Sequence, residues 1–378
     1  MIAAGTLYSC AAINEEYAFA HEETITPEMV LNASPLYLNA QPGDVAPVDL
    51  LTLSDEMTIF LDEHVDRNGN QSQILAQLIY ALIREDQFLL AYDDSTRTAE
   101  STFRERRGNC ISFTNMFVAM ARDLGLDANY QEVTIPPDWS MSGQTILLSQ
   151  HVSVLVNLKS ALSRVVDFNT YSTTLPLDSR VIADERARAH YFNNIGVEHM
   201  LADETPKAFA NFRESLKNDR TFSPSWANLG SLYRREGFPR YAEAAYLAAL
   251  EQNKSNLTAM SNLANLYEEE GNTKAAQKYL GRVQSHRTRN PYYRFQLANS
   301  AFIDGDYKTA IQHLKYAIRK REEEDRFYFL LSLSYLMSGE KEAAKVWMEK
   351  AKELARLSAS KKKYQHKLDL LKSRDNGF

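Results

Sequence analysis

Laid against itself at an offset of 34 residues, the C-terminal half of this chain aligns column by column. Phe192, Trp226, Met260, Arg294 and Tyr328 share one column, and Ile195, Leu229, Leu263, Leu297 and Leu331 share another three residues on. The next column is small throughout: Gly196, Gly230, Ala264, Ala298 and Ser332. Twelve residues later Ala208, Ala242, Ala276, Ala310 and Ala344 align, and after four more Phe212, Tyr246, Leu280, Leu314 and Met348. Such a period means one supersecondary unit used five times, here over residues 188–355, each unable to bury its apolar face without a neighbour. Small columns mark where the two helices of a unit approach closely, and large ones fill the gaps between them. Arg294 and Ala301 depart from the pattern and weaken the fourth unit. Residues 356–378 read as an extra, solvated capping helix, which a solenoid needs at its open end.

These columns match the tetratricopeptide repeat. The resemblance implies an all-α solenoid that binds a protein or peptide partner along a concave groove. Asn193, Asn228 and Asn262 recur near the repeat period and are predicted to face that groove, with Asn193 one position out of register. Amides there would bond to a partner's backbone without demanding a particular sequence.

The N-terminal half is organised differently. Residues 11–50 lack periodicity and contain Pro27, Pro35, Pro42 and Pro47, so they read as a tether or an irregular wrap. Ser54, followed by Asp55 and Glu56, is a predicted N-cap with an acidic first turn. From about Ser72, Ile74, Leu75, Leu78, Ile79, Leu82 and Ile83 form a stripe at helical spacing. Asp66 to Asn70 is a polar turn rather than a calcium loop, because Gly69 stands at the fourth position rather than the sixth and Gln77 takes the twelfth in place of an acid. A third helix opens at Cys110, with Phe113, Met116, Phe117, Met120, Ala121 and Leu124 on one face and Gly125 as its stop. Strand-like segments follow at 129–135, 151–156 and 164–168. Residues 136–150, including Trp139, read as a loop. Helices followed by strands make residues 51–182 an α+β domain.

Cys110 occupies the first turn of its helix, where unpaired N–H groups and the positive end of the dipole favour a thiolate. Tyr92-Asp93-Asp94, Thr98-Ala99-Glu100, Arg106-Arg107-Gly108-Asn109-Cys110 and Met120 to Ala128 together closely resemble the transglutaminase-like, or papain-like, cysteine superfamily. In that family a helix N-terminal Cys, a strand His and a strand Asp follow in this chain order. The resemblance covers about residues 90–170 and implies that Cys110, His151 and Asp167 are the catalytic residues. Cys110 would attack a carboxamide or peptide carbonyl, His151 would pair with the thiolate and protonate the leaving amine, and Asp167 would orient His151. The Cys110 N–H is one oxyanion donor. The tryptophan that animal transglutaminases place upstream of the nucleophile has no counterpart, since Trp139, Trp226 and Trp347 all lie downstream; Trp139 is a candidate for the substrate cleft. The expected function is a peptidase or amidase acting on a protein delivered by the repeats, with transamidation or a non-catalytic scaffold as alternatives. Water is the default acceptor for a thioester, which places hydrolysis first.

With 43 basic and 49 acidic side chains, a formal net charge of −6 gives no support for nucleic-acid binding. Two cysteines a hundred residues apart make no disulfide framework, and no Cys/His cluster has zinc spacing, so neither metal nor cofactor is expected. The first ten residues, MIAAGTLYSC, resemble the end of a bacterial lipoprotein signal peptide, although Tyr8 is bulky for its slot and no Lys or Arg precedes the apolar stretch. Residues 1–10 are therefore a candidate lipobox and Cys10 a candidate lipid attachment site. That places the chain in the bacterial cell envelope, anchored to a membrane and facing the periplasm, with the cytoplasm as the alternative.

Overall fold

A computed structural model describes residues 24–32, 45–83, 88–134, 139–142, 145–148, 151–158, 163–168, 178–355 and 358–373. The elements of the first half are α1 (Pro27–Asn32), α2 (Asp55–His64), α3 (Gln71–Ile83), β1 (Ala91–Tyr92), α4 (Ala99–Glu105), β2 (Arg107–Gly108) and α5 (Cys110–Asp123). Six strands follow: β3 (Asp127–Thr134), β4 (Trp139–Ser142), β5 (Thr145–Leu148), β6 (His151–Asn157), β7 (Ser163–Val166) and β8 (Asp178–Val181). Ser54 caps α2 as expected, its hydroxyl accepting from the Met57 N–H.

The main sheet runs in the order β7-β6-β3-β8, antiparallel throughout. Helix α5 lies across β3 and β6. It is pinned there by two buried side-chain bonds, Thr114 Oγ1 to the Val152 carbonyl at 3.2 Å and Tyr130 Oη to Asn115 Oδ1 at 2.8 Å. Met116, Phe117 and Met120 on the helix join Val152, Val154 and Val156 on β6 in one core with Leu75, Leu78 and Leu82 of α3.

Two expectations change. The loop expected over 136–150 contains a β-hairpin, with Ser140 paired to Leu147 and Met141 to Ile146. The run Thr145-Ile146-Leu147-Leu148 has the β-branched and apolar content of a strand, which its Ser/Gly-rich surroundings mask in the sequence. Trp139 thus begins a strand, β4, and β5 lies against the repeats, on α8 and α10 introduced below. Within the segment expected as a tether or an irregular wrap, a helix, α1, packs on the repeats: Val30 is buried and its carbonyl accepts from Tyr233 Oη.

The second half is five helix pairs and a cap. The pairs are α6 (Asp184–Leu201) with α7 (Thr205–Asn218), α8 (Ser223–Arg235) with α9 (Pro239–Gln252), and α10 (Leu257–Glu269) with α11 (Thr273–Arg289). Then come α12 (Pro291–Ile303) with α13 (Tyr307–Lys320), α14 (Asp325–Met337) with α15 (Lys341–Leu354), and α16 (Ser358–Ser373). The close-approach column is literal: a Cβ built on Gly196 would stand 2.6 Å from the Phe212 ring, and one on Gly230 would stand 2.7 Å from the Tyr246 ring. The turn inside each repeat uses a left-handed residue, Gly237, Gly271, Gly305 and Gly339 in four repeats and Asp203 in the first. Leu280 departs from its column. It is exposed, and Tyr279 and Val283 turn into the core in its place.

Helix α6 belongs to both halves. Arg122 at the end of α5 grips Asp184 at its start with two bonds, of 2.6 and 2.8 Å. Glu132 on β3 bonds Arg186 and His190, each at 2.7 Å. Burial works against ionisation of Glu132, but the His190 hydrogen bond and the Arg186 charge hold its carboxyl well below the usual range. Further along, Glu198 accepts from the Thr96 N–H at 2.8 Å.

Replacing Gly230 by Ala should force the Tyr246 ring and the helix pair apart, lowering stability by about 1–3 kcal/mol. Urea denaturation checks this, and an unchanged midpoint would contradict the close packing.

Candidate active site

The residues before Cys110 are selected by local geometry. β1 and β2 pair in parallel, with Tyr92 opposite Gly108. A side chain at 108 would meet Ser112 Cβ at 2.6 Å, so glycine lets the chain pass close under the helix it is about to enter. Asn109 is the N-cap, its Oδ1 accepting from the Ser112 N–H at 3.1 Å. Its Nδ2 donates to Thr96 Oγ1 at 2.8 Å, and its own N–H bonds the Ser95 carbonyl at 3.2 Å. Ser112 Oγ closes the loop by accepting from the Arg97 N–H at 2.8 Å. Arg97 in turn bonds Asp93 and Glu105, each at 2.8 Å. Burial works against ionisation of Asp93, yet the Arg97 hydrogen bond and the nearby guanidinium groups keep its carboxyl below the usual range. Cys110 therefore opens α5 from a rigid, fully bonded lead-in, half-buried and with a free thiol.

His151 begins β6, directly opposite Val133 on β3, and is buried. Asp167 follows the last residue of β7, whose Val166 pairs with Val154. The β6–β7 hairpin thus carries both side chains to one end of the sheet, and His151 Nε2 meets Asp167 Oδ1 at 2.6 Å. Cys110 acts on the same imidazole electrostatically. With Nε2 engaged by Asp167, Nδ1 is the nitrogen left for sulfur. Burial opposes a charge on His151, but the hydrogen bonds to Asp167 and Cys110 and the negative charge of both outweigh it and push the imidazole up to about 9. The arrangement can hold a proton on His151 beside a nucleophile at neutral pH and give it up to a leaving group.

Sequence reasoning passed over one member of this site. Tyr92 lies across the β1–β2 pair from Gly108, edge-on to Phe113 with centroids 6.5 Å apart. Burial first, then the negative charge of Cys110 and of Asp94 and Asp93, pushes its phenol up to about 12, so it keeps its proton as a hydrogen-bond donor. This aromatic stands eighteen residues upstream of Cys110.

The other candidates fall elsewhere. The backbone at Trp139 is in β4, but its side chain lies outside the described residues. The three asparagines are buried rather than open to a partner, which corrects the expectation of free groove amides. Asn193 Oδ1 accepts from Asn228 Nδ2 and from Ser225 Oγ, each at 2.9 Å, while Asn262 Nδ2 donates to Ser231 at 3.1 Å. They tie first helices of successive repeats together. Cys10 and the whole 1–10 segment lie outside the described residues. Among the described residues, no group of His, Cys, Asp and Glu is arranged to hold a metal ion, and no helix is long and apolar enough to cross a membrane.

The His151 charge has a measurable consequence. A folded-state value of about 9 against an ordinary value near 6.5 means protonated His151 stabilises the fold fully below about pH 6.5 and loses that contribution as pH rises through 9. The contribution is on the order of 2–3 kcal/mol. NMR titration of the His151 ring should show the raised midpoint in the wild type and a fall toward the ordinary value in Asp167→Asn. A midpoint unmoved by that change would contradict the pairing.

Comparison with known proteins agrees with this layout. The model for the transglutaminase-like superfamily matches residues 62–160, and the model for the tetratricopeptide repeat matches 228–285 and 295–359. No curated protein sequence matches this one significantly. Among solved structures, the MamA protein is 20% identical, covering 44% of this chain and 91% of its own, with a TM-score of 0.25. YrrB, described as a TPR protein with an unusual peptide-binding site, is 17% identical over 47% of this chain and 90% of its own, also with a TM-score of 0.25. PilF of Pseudomonas aeruginosa is 14% identical over 51% and 88%, with a TM-score of 0.27. Likenesses at this level do not extend to function. The chain carries a transglutaminase-like superfamily domain followed by tetratricopeptide repeats.

Proposed function

We propose that this chain is a cysteine-dependent acyl-transfer enzyme, a peptidase or amidase acting on a protein or peptide recruited by its repeats. The observation that carries the reading is the 2.6 Å bond from His151 to Asp167, in a domain where Cys110 opens α5 and its charge raises the pKa of the same imidazole. Cys110 Sγ attacks the carbonyl carbon and the oxygen takes up the negative charge. His151 then gives its proton to the departing amine, leaving a thioester on Cys110. Water, deprotonated by His151, attacks the thioester, releases the acid and restores the thiol. Asp167 holds the imidazole in the required tautomer and supports its charge.

The oxyanion is served by the Cys110 N–H, which is free of intrahelical bonding as the first helical residue, and by the Tyr92 hydroxyl. An amine in place of water would make the same thioester a transamidation intermediate. A purely binding role leaves the Cys110, His151 and Asp167 arrangement without a use. The lipobox-like segment ending at Cys10 supports attachment of the enzyme to the cell envelope through that residue.

Cys110 should react with iodoacetamide at neutral pH faster than free cysteine, and the advantage should disappear in His151→Ala. A rate equal to that of free cysteine, unaffected by His151→Ala, overturns the nucleophile. With a turnover assay in hand, His151→Ala should lower kcat/KM by about 10²–10⁴-fold. Tyr92→Phe should lower kcat by about 10²-fold with KM unchanged. Trapping the acyl-enzyme and resolving it with water or an added amine, read by mass spectrometry, separates hydrolysis from transamidation. Palmitate labelling that persists in Cys10→Ser would refute the anchor.

A further inference from the structure

Between the third and fourth repeats the solenoid opens into a pocket of about 520 Å³, within the size range of small-molecule sites. Its walls carry four cations, Lys254, Arg282, Arg289 and Arg321, and no carboxylate is among the described residues that line it. That is a local concentration of positive charge in a chain whose formal net charge is −6. The cations come from three separate segments: the turn after α9, the last two turns of α11, and the residue after α13.

Little neutralises them. Arg282 donates to the Lys254 carbonyl at 3.0 Å and lies over the Tyr279 ring, and neither contact cancels its charge. Arg321 reaches Glu323 at 3.5 Å, in an exposed pair of the kind worth little. Lys254 and Arg289 have no ion-pair partner among the described residues. His286 lines the same pocket with its Nδ1 buried and without a hydrogen-bond partner. Tyr292 forms part of the wall, its hydroxyl turned to Glu324 at 3.1 Å. The N-terminus of α12 opens here as well, already capped by Asn290, so it adds field rather than free donors.

The repeat pattern breaks at this place. The tetratricopeptide match stops at 285 and resumes at 295, and the residues it leaves out include His286, Arg289 and Tyr292. Helix α11 has 17 residues where α7, α9, α13 and α15 have 14, and its extra turn carries Arg289 into the pocket. Among the described residues no buried apolar cluster spans α11 and α12: one core ends on Tyr279 and Val283, and the next begins with Tyr292. Packing has given way to a charged cavity.

We propose that this pocket binds a small phosphate-bearing ligand. Four cations call for more than one negative charge, which a pyrophosphate or a phosphate ester supplies and a single carboxylate does not. Arginine forks suit phosphate oxygens, and a proton on His286 Nδ1 adds a further donor. The site is built from residues that take no part in the acyl-transfer chemistry, so it stands or falls independently of that reading.

The test is calorimetric titration of the full chain with pyrophosphate. Wild type should bind with a submillimolar Kd, and R282Q/R289Q should weaken binding tenfold or more. K361Q/K362Q, which removes the same charge from α16, should leave it unchanged. R321Q, on the opposite wall, should weaken it too and serves if the double variant does not fold by circular dichroism. No binding to wild type, or equal weakening in K361Q/K362Q, overturns the site. Binding of a tetraglutamate peptide in place of pyrophosphate overturns the phosphate assignment.

Discussion

Both halves of this molecule depend on a largely buried carboxylate. Glu132 sits on the central strand β3, one residue before the partner of His151, and is held by Arg186 and His190 of α6. Removing one side of such a pair strands a charge away from water, so the junction is costly to separate. Arg122 with Asp184, and Glu198 with Thr96, fix α6 at two further points, the second on the loop that leads into Cys110. The first repeat helix is therefore a wall of the α+β domain as much as the start of a solenoid. Its apolar and polar residues face inward on several sides, with Ala187, Ala189, His190, Phe192 and Asn193 all buried.

The candidate site is assembled by ordinary means. A glycine permits a tight approach, an asparagine caps a helix, and a hairpin brings a histidine and an aspartate to the same end of a sheet. What is special is the balance on His151, where burial alone would discharge the ring and the influence of Asp167 and Cys110 reverses the outcome. Tyr92 responds to the same field in the same sense and keeps its proton, there with burial adding to the shift.

Much of this was legible in the sequence because it is local or periodic. The five repeats announce themselves in columns of size, and the Gly108-Asn109-Cys110 lead-in carries its own turn and cap chemistry. The order of Cys110, His151 and Asp167 could be read, but their approach to one another depends on a four-stranded register that no single segment encodes. The β4–β5 hairpin was hidden by its polar surroundings. Asn193, Asn228 and Asn262 misled for a different reason: periodic spacing says that residues share a face, and says nothing of whether a neighbouring helix covers it. Leu280 illustrates the same limit, since a small rotation of α11 let Tyr279 and Val283 take its place.

The long α11 has a mechanical consequence for the array. Its three additional residues amount to about 4.5 Å of axial offset, close to one turn. In a solenoid each unit is stabilised by its neighbours, and cooperativity passes along the stack through their shared interfaces. With the apolar interior interrupted between Val283 and Tyr292, that transmission has its weakest link there. The first three repeats share one apolar core with α1, and the last two and α16 are packed separately from it, so the joint between them is where stepwise unfolding is expected to begin.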